Sequence, residues 1–232
     1  MDSATLLSVA CNKYRPDQVI AVGFDYGQRH VTELNYARDV AEWFKVRFKV
    51  VSLPRIFAGG SSALMMDTPV EIIGSYTDLA SRYGGQPTIV PGRNLNFLAM
   101  CATIAEVNRL NRVWIANHAG DADNWHYFDC TPEFIAGAQS AIGVGTGFAV
   151  TLEAPFTFKT KAELVTLAHE NQAPLHLTQS CYNGQTPACG ECATCTERLQ
   201  AFLTAGYFDP IDYQKLPEWY LRQGSQLSTF SQ

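Results

Sequence analysis

Two rhythms of apolar residues alternate along the chain, and together they outline an α/β protein. Leu6, Leu7, Ala10 and Cys11 share one face of a helix predicted over 2–13, with Asp2 and Ser3 as capping candidates. The run QVIAVGF at 18–24 is short, apolar and β-branched, as expected of a buried strand. Leu34, Ala37, Val40, Ala41 and Phe44 then return to helical spacing over 30–44, and 48–53 reads as a second strand. Strand, helix, strand in this order predicts a parallel sheet with crossover helices.

The rhythm breaks between 58 and 86. Gly59-Gly60, Ser61-Ser62, Pro69 and Gly84-Gly85 punctuate an irregular excursion there, read as a mobile flap. Order resumes at Ile89 and Val90, and Phe97, Leu98, Cys101, Ile104 and Ala105 predict a helix over 94–109. A buried strand at 113–117, a helix at 132–142, a strand at 148–152 and a helix at 159–170 follow, then a closing helix at 194–203. Beyond Pro210 the tail is rich in aromatics, Gln and Ser, and its last residues are expected to be loose. The organisation expected is an α/β unit over 1–175 and a C-terminal element over 176–232, packed as one body.

Composition narrows the function classes. The 232 residues are 47% hydrophobic and 17% charged, with formal net charge −5. That balance suits a globular protein and gives no long-range attraction to nucleic acid or to a membrane surface. No run of apolar residues is long enough to span a bilayer, and the first residues lack the basic and apolar regions of a secretory signal.

Four of the seven cysteines lie in SCYNGQTPACGECATC as C-x7-C-x2-C-x2-C: Cys181, Cys189, Cys192 and Cys195. Two-residue gaps let successive thiolates converge on one tetrahedral ion, and Gly190 permits the sharp turn between them. Four soft ligands select zinc or an iron–sulfur cluster, and a closed set reads first as structural zinc. Two disulfides are the alternative. The unpaired remainder, Cys11, Cys101 and Cys130, suits a reducing cytoplasm and argues against them.

In open parallel sheets, ligands sit beyond the C-terminal ends of the strands. Four polar stretches fall at such places: Phe24 to Gln28, Val90 to Asn94, Asn117 to Cys130, and the segment around Lys159 and Lys161. Cations, carboxylates and glycines at helix starts suit an anionic phosphate ligand with a divalent ion. Taken in order, MDSATLL, FDYGQRH, VPGRN, the segment ending FDCTPEF, EAPF with KTKAEL, and SCYNG with CGECATC and Arg198 resemble the 7-cyano-7-deazaguanine synthase (QueC) family of the ATP-pyrophosphatase group. The resemblance runs from Met1 to about Phe208.

That resemblance implies an adenine-nucleotide α-hydrolase-like, three-layer Rossmann-like fold with a zinc-binding appendage. It implies an ATP-driven conversion of 7-carboxy-7-deazaguanine and ammonia to the nitrile, with Mg2+ accompanying ATP. It also implies possible self-association as a homodimer, without direct nucleic-acid or membrane partners. Asp2 and Ser3 match the end of the family's Ser-Gly-Gly-x-Asp-Ser loop, which wraps pyrophosphate. Arg93 and Lys161 are the expected charge stabilisers, Asn94 an orienting donor, and Asp129 an orienter of the base or of a metal-bound water. Asp25 and Gln28 are expected near the nucleotide crevice. His30, His118 and His126 are read as packing or surface residues, and Cys130 as a small buried thiol.

Two departures from the family pattern carry expectations. The family sets a strand and Ser-Gly-Gly before the residues matched by Met1-Asp2-Ser3, so the chain as written is expected to bind ATP poorly. DNWHYF differs from the usual Gly and Pro near the tyrosine, in the expected base-recognition loop. The competing readings are another ATP pyrophosphatase, tRNA-modifying or amide-forming, and a non-catalytic zinc-stabilised relative.

Overall fold

The computed structural model describes residues 1–122 and 127–227. In chain order its first elements are α1 (Asp2–Lys13), β1 (Ile20–Asp25), α2 (Glu33–Trp43), β2 (Arg47–Ser52), α3 (Tyr76–Tyr83) and α4 (Arg93–Val107). Then follow β3 (Arg112–Trp114), the single turn α5 (Ala119–Ala122), α6 (Pro132–Gly145), β4 (Thr151–Glu153), α7 (Lys161–Glu170), α8 (Ala193–Thr204) and α9 (Glu218–Leu227).

The strands pair in parallel, as the alternation of strand and helix predicts. β1 lies beside β2 in a register running from Ile20 opposite Arg47 to Asp25 opposite Ser52, and β3 lies beside β4 with Arg112 opposite Thr151. Among the described residues these are two separate pairs, not one continuous sheet. Helix α4 spans both: Phe97 stacks on Phe24 of β1 at 3.9 Å between centroids, while Leu98 joins Val113 and Leu152 in a second cluster. A narrow apolar stripe would serve one pair only; α4 is apolar over a wide arc and serves two.

Helix starts follow local chemistry. Thr131 caps α6 through the Phe134 amide ahead of Pro132, whose missing N–H costs nothing in the first turn. Thr160 and Glu163 form a reciprocal capping box at α7, so the helix opens at Lys161 and not at 159. Gly92, at φ +65°, takes the left-handed turn that lets α4 begin at Arg93.

The excursion at 58–86 is more ordered than its punctuation suggests. It contains α3, capped by Ser75 and Asp78 and ended by Gly84 in the left-handed region. Ala63, Leu64, Met65, Ile72 and Leu79 from this segment bury themselves against Phe24 and Tyr26. The tail holds α9, whose Tyr220 packs on Leu199 and Leu203 of α8. The strand expected at 148–152 begins only at Thr151, because Phe148 sits at φ +64° and faces outward. No helix among the described residues is long and apolar enough to cross a membrane.

Candidate active site and metal centre

Helices α1 and α7 bring their N-terminal ends together, and with them Asp2 and Lys161. Lys161 Nζ lies 3.5 Å from Asp2 Oδ2 and 2.6 Å from Glu197 Oε2 on α8. Burial by itself would depress the ammonium's pKa; Asp2, Glu197 and Asp121 reverse that and hold it above the ordinary lysine value. Burial likewise works against the Asp2 carboxylate, and Lys161, with smaller help from the Met1 amine, His118 and Arg198, outweighs it, bringing the pKa down from 3.8 to about 2. Ser3, one residue on, is exposed.

His118 sits against this cluster, fully buried, with Nε2 3.5 Å from Asp121 Oδ1. Among the described residues, both its ring nitrogens, Asp2 Oδ1 and Asn117 Oδ1 are buried without a hydrogen-bond partner. Buried polar groups are ordinarily paired, so the Asp2 oxygen left over beside Lys161 and the His118 ring against Asp121 mark a place built for something polar. A cavity of about 630 Å³ opens beside it, with Lys161, Glu197, Tyr76 and Trp219 among its walls.

A second group forms where α4 begins. The Asn94 amide donates to Asp129 Oδ2 at 3.1 Å, and Asn94 Nδ2 donates to the Asp129 carbonyl and to Cys130 Sγ. Asp129 therefore caps α4 from 35 residues away in sequence. Arg93, half-buried, donates to Asn94 Oδ1. Burial opposes its charge, but Tyr26, Tyr182 and Asp129 keep the guanidinium more firmly protonated than usual. Cys130 is buried, and burial pushes its thiol pKa well up, which suits packing and not nucleophilic attack.

Three tyrosines, Tyr127 buried and Tyr76 and Tyr182 half-buried, join the two groups. Tyr182 OH lies 3.2 Å from Tyr76 OH and 3.3 Å from Tyr127 OH, and Tyr127 OH is 2.7 Å from Thr88 Oγ1. Tyr76 belongs both to this network and to the cavity wall beside Lys161. Asp25 and Gln28 stand apart, at the end of β1. Asp25 Oδ1 accepts from the Gly27 amide, while fully buried Gln28 accepts from Tyr26 N–H and donates to the Phe24 carbonyl. Gln28 thus ties its own loop.

The four cysteines converge as their spacing predicts. All seven cysteines are unbridged, and the Sγ atoms of Cys181, Cys189, Cys192 and Cys195 lie within 4.8 Å of one another, all buried. Cys189 to Cys195 is 3.8 Å and Cys192 to Cys195 is 3.4 Å. Amides of Glu191 and Cys192 and the Asn183 side chain point at the Cys189 sulfur. Gly190 is obligatory: at φ +80° a Cβ there would lie 1.7 Å from the Lys215 carbonyl oxygen. The donor set is that of a metal centre.

Behind it, fully buried Arg198 grips Asp209 bidentately at 2.7 and 2.9 Å and donates to Thr178 Oγ1 and the Leu175 carbonyl. The family described as queuosine biosynthesis protein QueC matches residues 1–206, which include both the Lys161 cluster and the cysteines. The chain belongs to this family. A 7-cyano-7-deazaguanine synthase of Picrophilus torridus is 36% identical over 228 residues, covering 95% of this chain and 90% of the relative. Those of Acetivibrio thermocellus and Oceanobacillus iheyensis are 39% identical over 225 and 217 residues, covering 93% and 92% of this chain and 94% of each relative. Among solved structures, the U34-tRNA thiolase NcsA from Methanococcus maripaludis with its [4Fe-4S] cluster is similar at TM-score 0.47 and 12% identity, over 97% of this chain and 77% of that one. That likeness is too remote to argue from.

No sequence signal singles out Glu197 or Asp121, and His118, expected as a packing or surface residue, is fully buried against Asp121. A lone Glu inside α8 signals nothing by itself; only the fold shows that it meets Lys161. His126 and most of DNWHYF lie outside the described residues.

Proposed function

We propose that this chain makes 7-cyano-7-deazaguanine from 7-carboxy-7-deazaguanine and ammonia at the expense of ATP, in the cytoplasm. Membership in a family whose relatives bear that synthase's name along nearly their whole length carries the reading. The site's chemistry agrees with it. A carboxylate is a poor electrophile, and transferring a nucleotide or phosphate to its oxygen creates a leaving group. Ammonia displaces that group to give an amide; activating the amide oxygen in turn lets it leave with the nucleotide or phosphate as the nitrogen gives up its two protons, forming the nitrile.

Such chemistry asks the protein mainly to position groups and to neutralise charge developing on phosphate oxygens. Lys161, held cationic between carboxylates beside two helix N-termini, is the residue for the polyphosphate, with Asp2 and Ser3 at the start of α1. Arg93 is set to neutralise a carboxylate or phosphate, and Asn94 and Asp129 fix its position. A divalent ion such as Mg2+ accompanies ATP in reactions of this type.

Zinc is our choice for the thiolate centre. A Zn–S bond of about 2.3 Å puts tetrahedral ligands roughly 3.8 Å apart, close to the observed 3.4 and 3.8 Å. A four-iron cube would hold its thiolates farther apart than four sulfurs within 4.8 Å of one another. The deciding experiment supplies the carboxy-deazaguanine, 15N-ammonia and ATP and follows products by mass spectrometry. A labelled nitrile with base-dependent ATP consumption is expected. A labelled amide alone would move the reading to amide formation, and ATP consumption indifferent to the base would overturn it.

A further inference from the structure

Resting on the ATP reading above, one residue of the site has a role that the family reading leaves open. The cation meant for polyphosphate is already taken. Lys161 Nζ faces Glu197 at 2.6 Å and Asp2 at 3.5 Å, so an incoming anion meets a lysine whose charge is more than balanced. The two carboxylates differ in freedom. Asp2 is short and fixed at the first turn of α1 with one oxygen buried, whereas Glu197 reaches from α8 on a longer stem and lines the 630 Å³ cavity. A ligand entering through that cavity meets Glu197 alongside the lysine.

We propose that Glu197 is a displaceable counter-ion: its carboxylate holds Lys161 in the ligand-free protein and swings away when a polyphosphate takes its place. The latch keeps a buried ammonium paired at all times, since an unpaired buried charge is costly. It also sets affinity, because each phosphate bound to Lys161 competes with an anion supplied by the protein itself. The position of Glu197, two residues beyond Cys195 on α8, fixes the base of the latch to the metal centre.

Titration calorimetry with inorganic tripolyphosphate and with ATP tests this on the metal-loaded full chain, comparing wild type with Glu197→Gln and Lys161→Met. Glu197→Gln is expected to bind tripolyphosphate about tenfold more tightly or better, and Lys161→Met to lose the binding. Loss of a merely structural residue does not tighten a ligand. Glu197→Ala repeats the measurement should the amide disturb packing. Equal affinity in wild type and both Glu197 variants overturns the latch and leaves the ATP reading standing. Weaker affinity also overturns it, and assigns Glu197 to the ligand's cation instead. If no variant binds either probe while metal content and circular dichroism match wild type, the ATP reading and the latch fall together.

Discussion

The two polar centres of this molecule, the thiolate knuckle and the Lys161 cluster, are built on opposite terms. In the knuckle every donor points inward at one spot, amides back the sulfurs, and Arg198 with Asp209 closes the shell from behind. In the cluster, charges of both signs sit beside a cavity, and buried polar atoms lack hydrogen-bond partners among the described residues. Burial is common to both, so burial does not separate structure from function here. Satisfaction does: a centre whose valences are all met can only hold, whereas one with valences left over can bind.

The sharpest way to break the comparison is to open the closed centre. Cys192→Ser removes a central ligand from a site whose metal affinity is folding energy. Loss of the metal and of cooperative unfolding is expected, read by metal analysis and a thermal melt; a variant that melts like wild type would make the metal dispensable. Next comes Arg198→Ala, which strands buried Asp209. Removing one partner of a buried ion pair costs about 3–5 kcal/mol, and the urea midpoint should fall accordingly. Asp209→Asn, by stranding the arginine, should fall comparably.

The open centre should behave the other way. Lys161→Met is expected to cost about 10²–10³ in turnover, the usual scale for a charge-stabilising donor. Its loss of stability should stay below that of Arg198→Ala, since the Asp2 and Glu197 left behind retain access to solvent. Initial rates of nitrile formation alongside urea melts separate the two effects. A variant that unfolds as badly as Arg198→Ala would place Lys161 among the structural residues.

The same contrast explains what could be read from the sequence. The knuckle's four ligands lie within fifteen residues, so their spacing alone reveals a metal site. The cluster's pairs are assembled from afar: Lys161 and Glu197 are 36 residues apart, and Asp2 comes from the first turn of the chain. Motif likeness found Asp2 and Lys161, but nothing local pointed to Glu197 or Asp121. Helices with an apolar face, α1, α4, α6 and α7, emerged with their ends nearly right. Helix α3 did not, because only Leu79 of its eight residues is fully buried and no stripe exists; Ser75 with Asp78 was its one local signal. Strands β3 and β4 pair over three residues each, and the apolar runs that predicted them extend beyond the ladder, where Ile115 and Val150 pack in the core.

The smallest effect is the most specific to the open centre. The Asp2 pKa is brought down to about 2 in the folded protein from an ordinary 3.8. A depressed carboxylate contributes stability that is present in full above about pH 4 and is lost as pH falls through 2. Close to two units corresponds to about 2–3 kcal/mol at neutral pH. Acid also strips metal from thiolates, so wild type alone cannot report it; the difference between wild type and Asp2→Asn cancels that common loss. Urea midpoints measured across the acid range should show the difference shrinking towards zero as pH drops. In a Lys161→Met background the gap should shrink sharply, because the lysine is the largest of the charges that depress the pKa. A gap undiminished by the loss of Lys161 would mean that the start of α1, and not the ion pair, holds the Asp2 proton off.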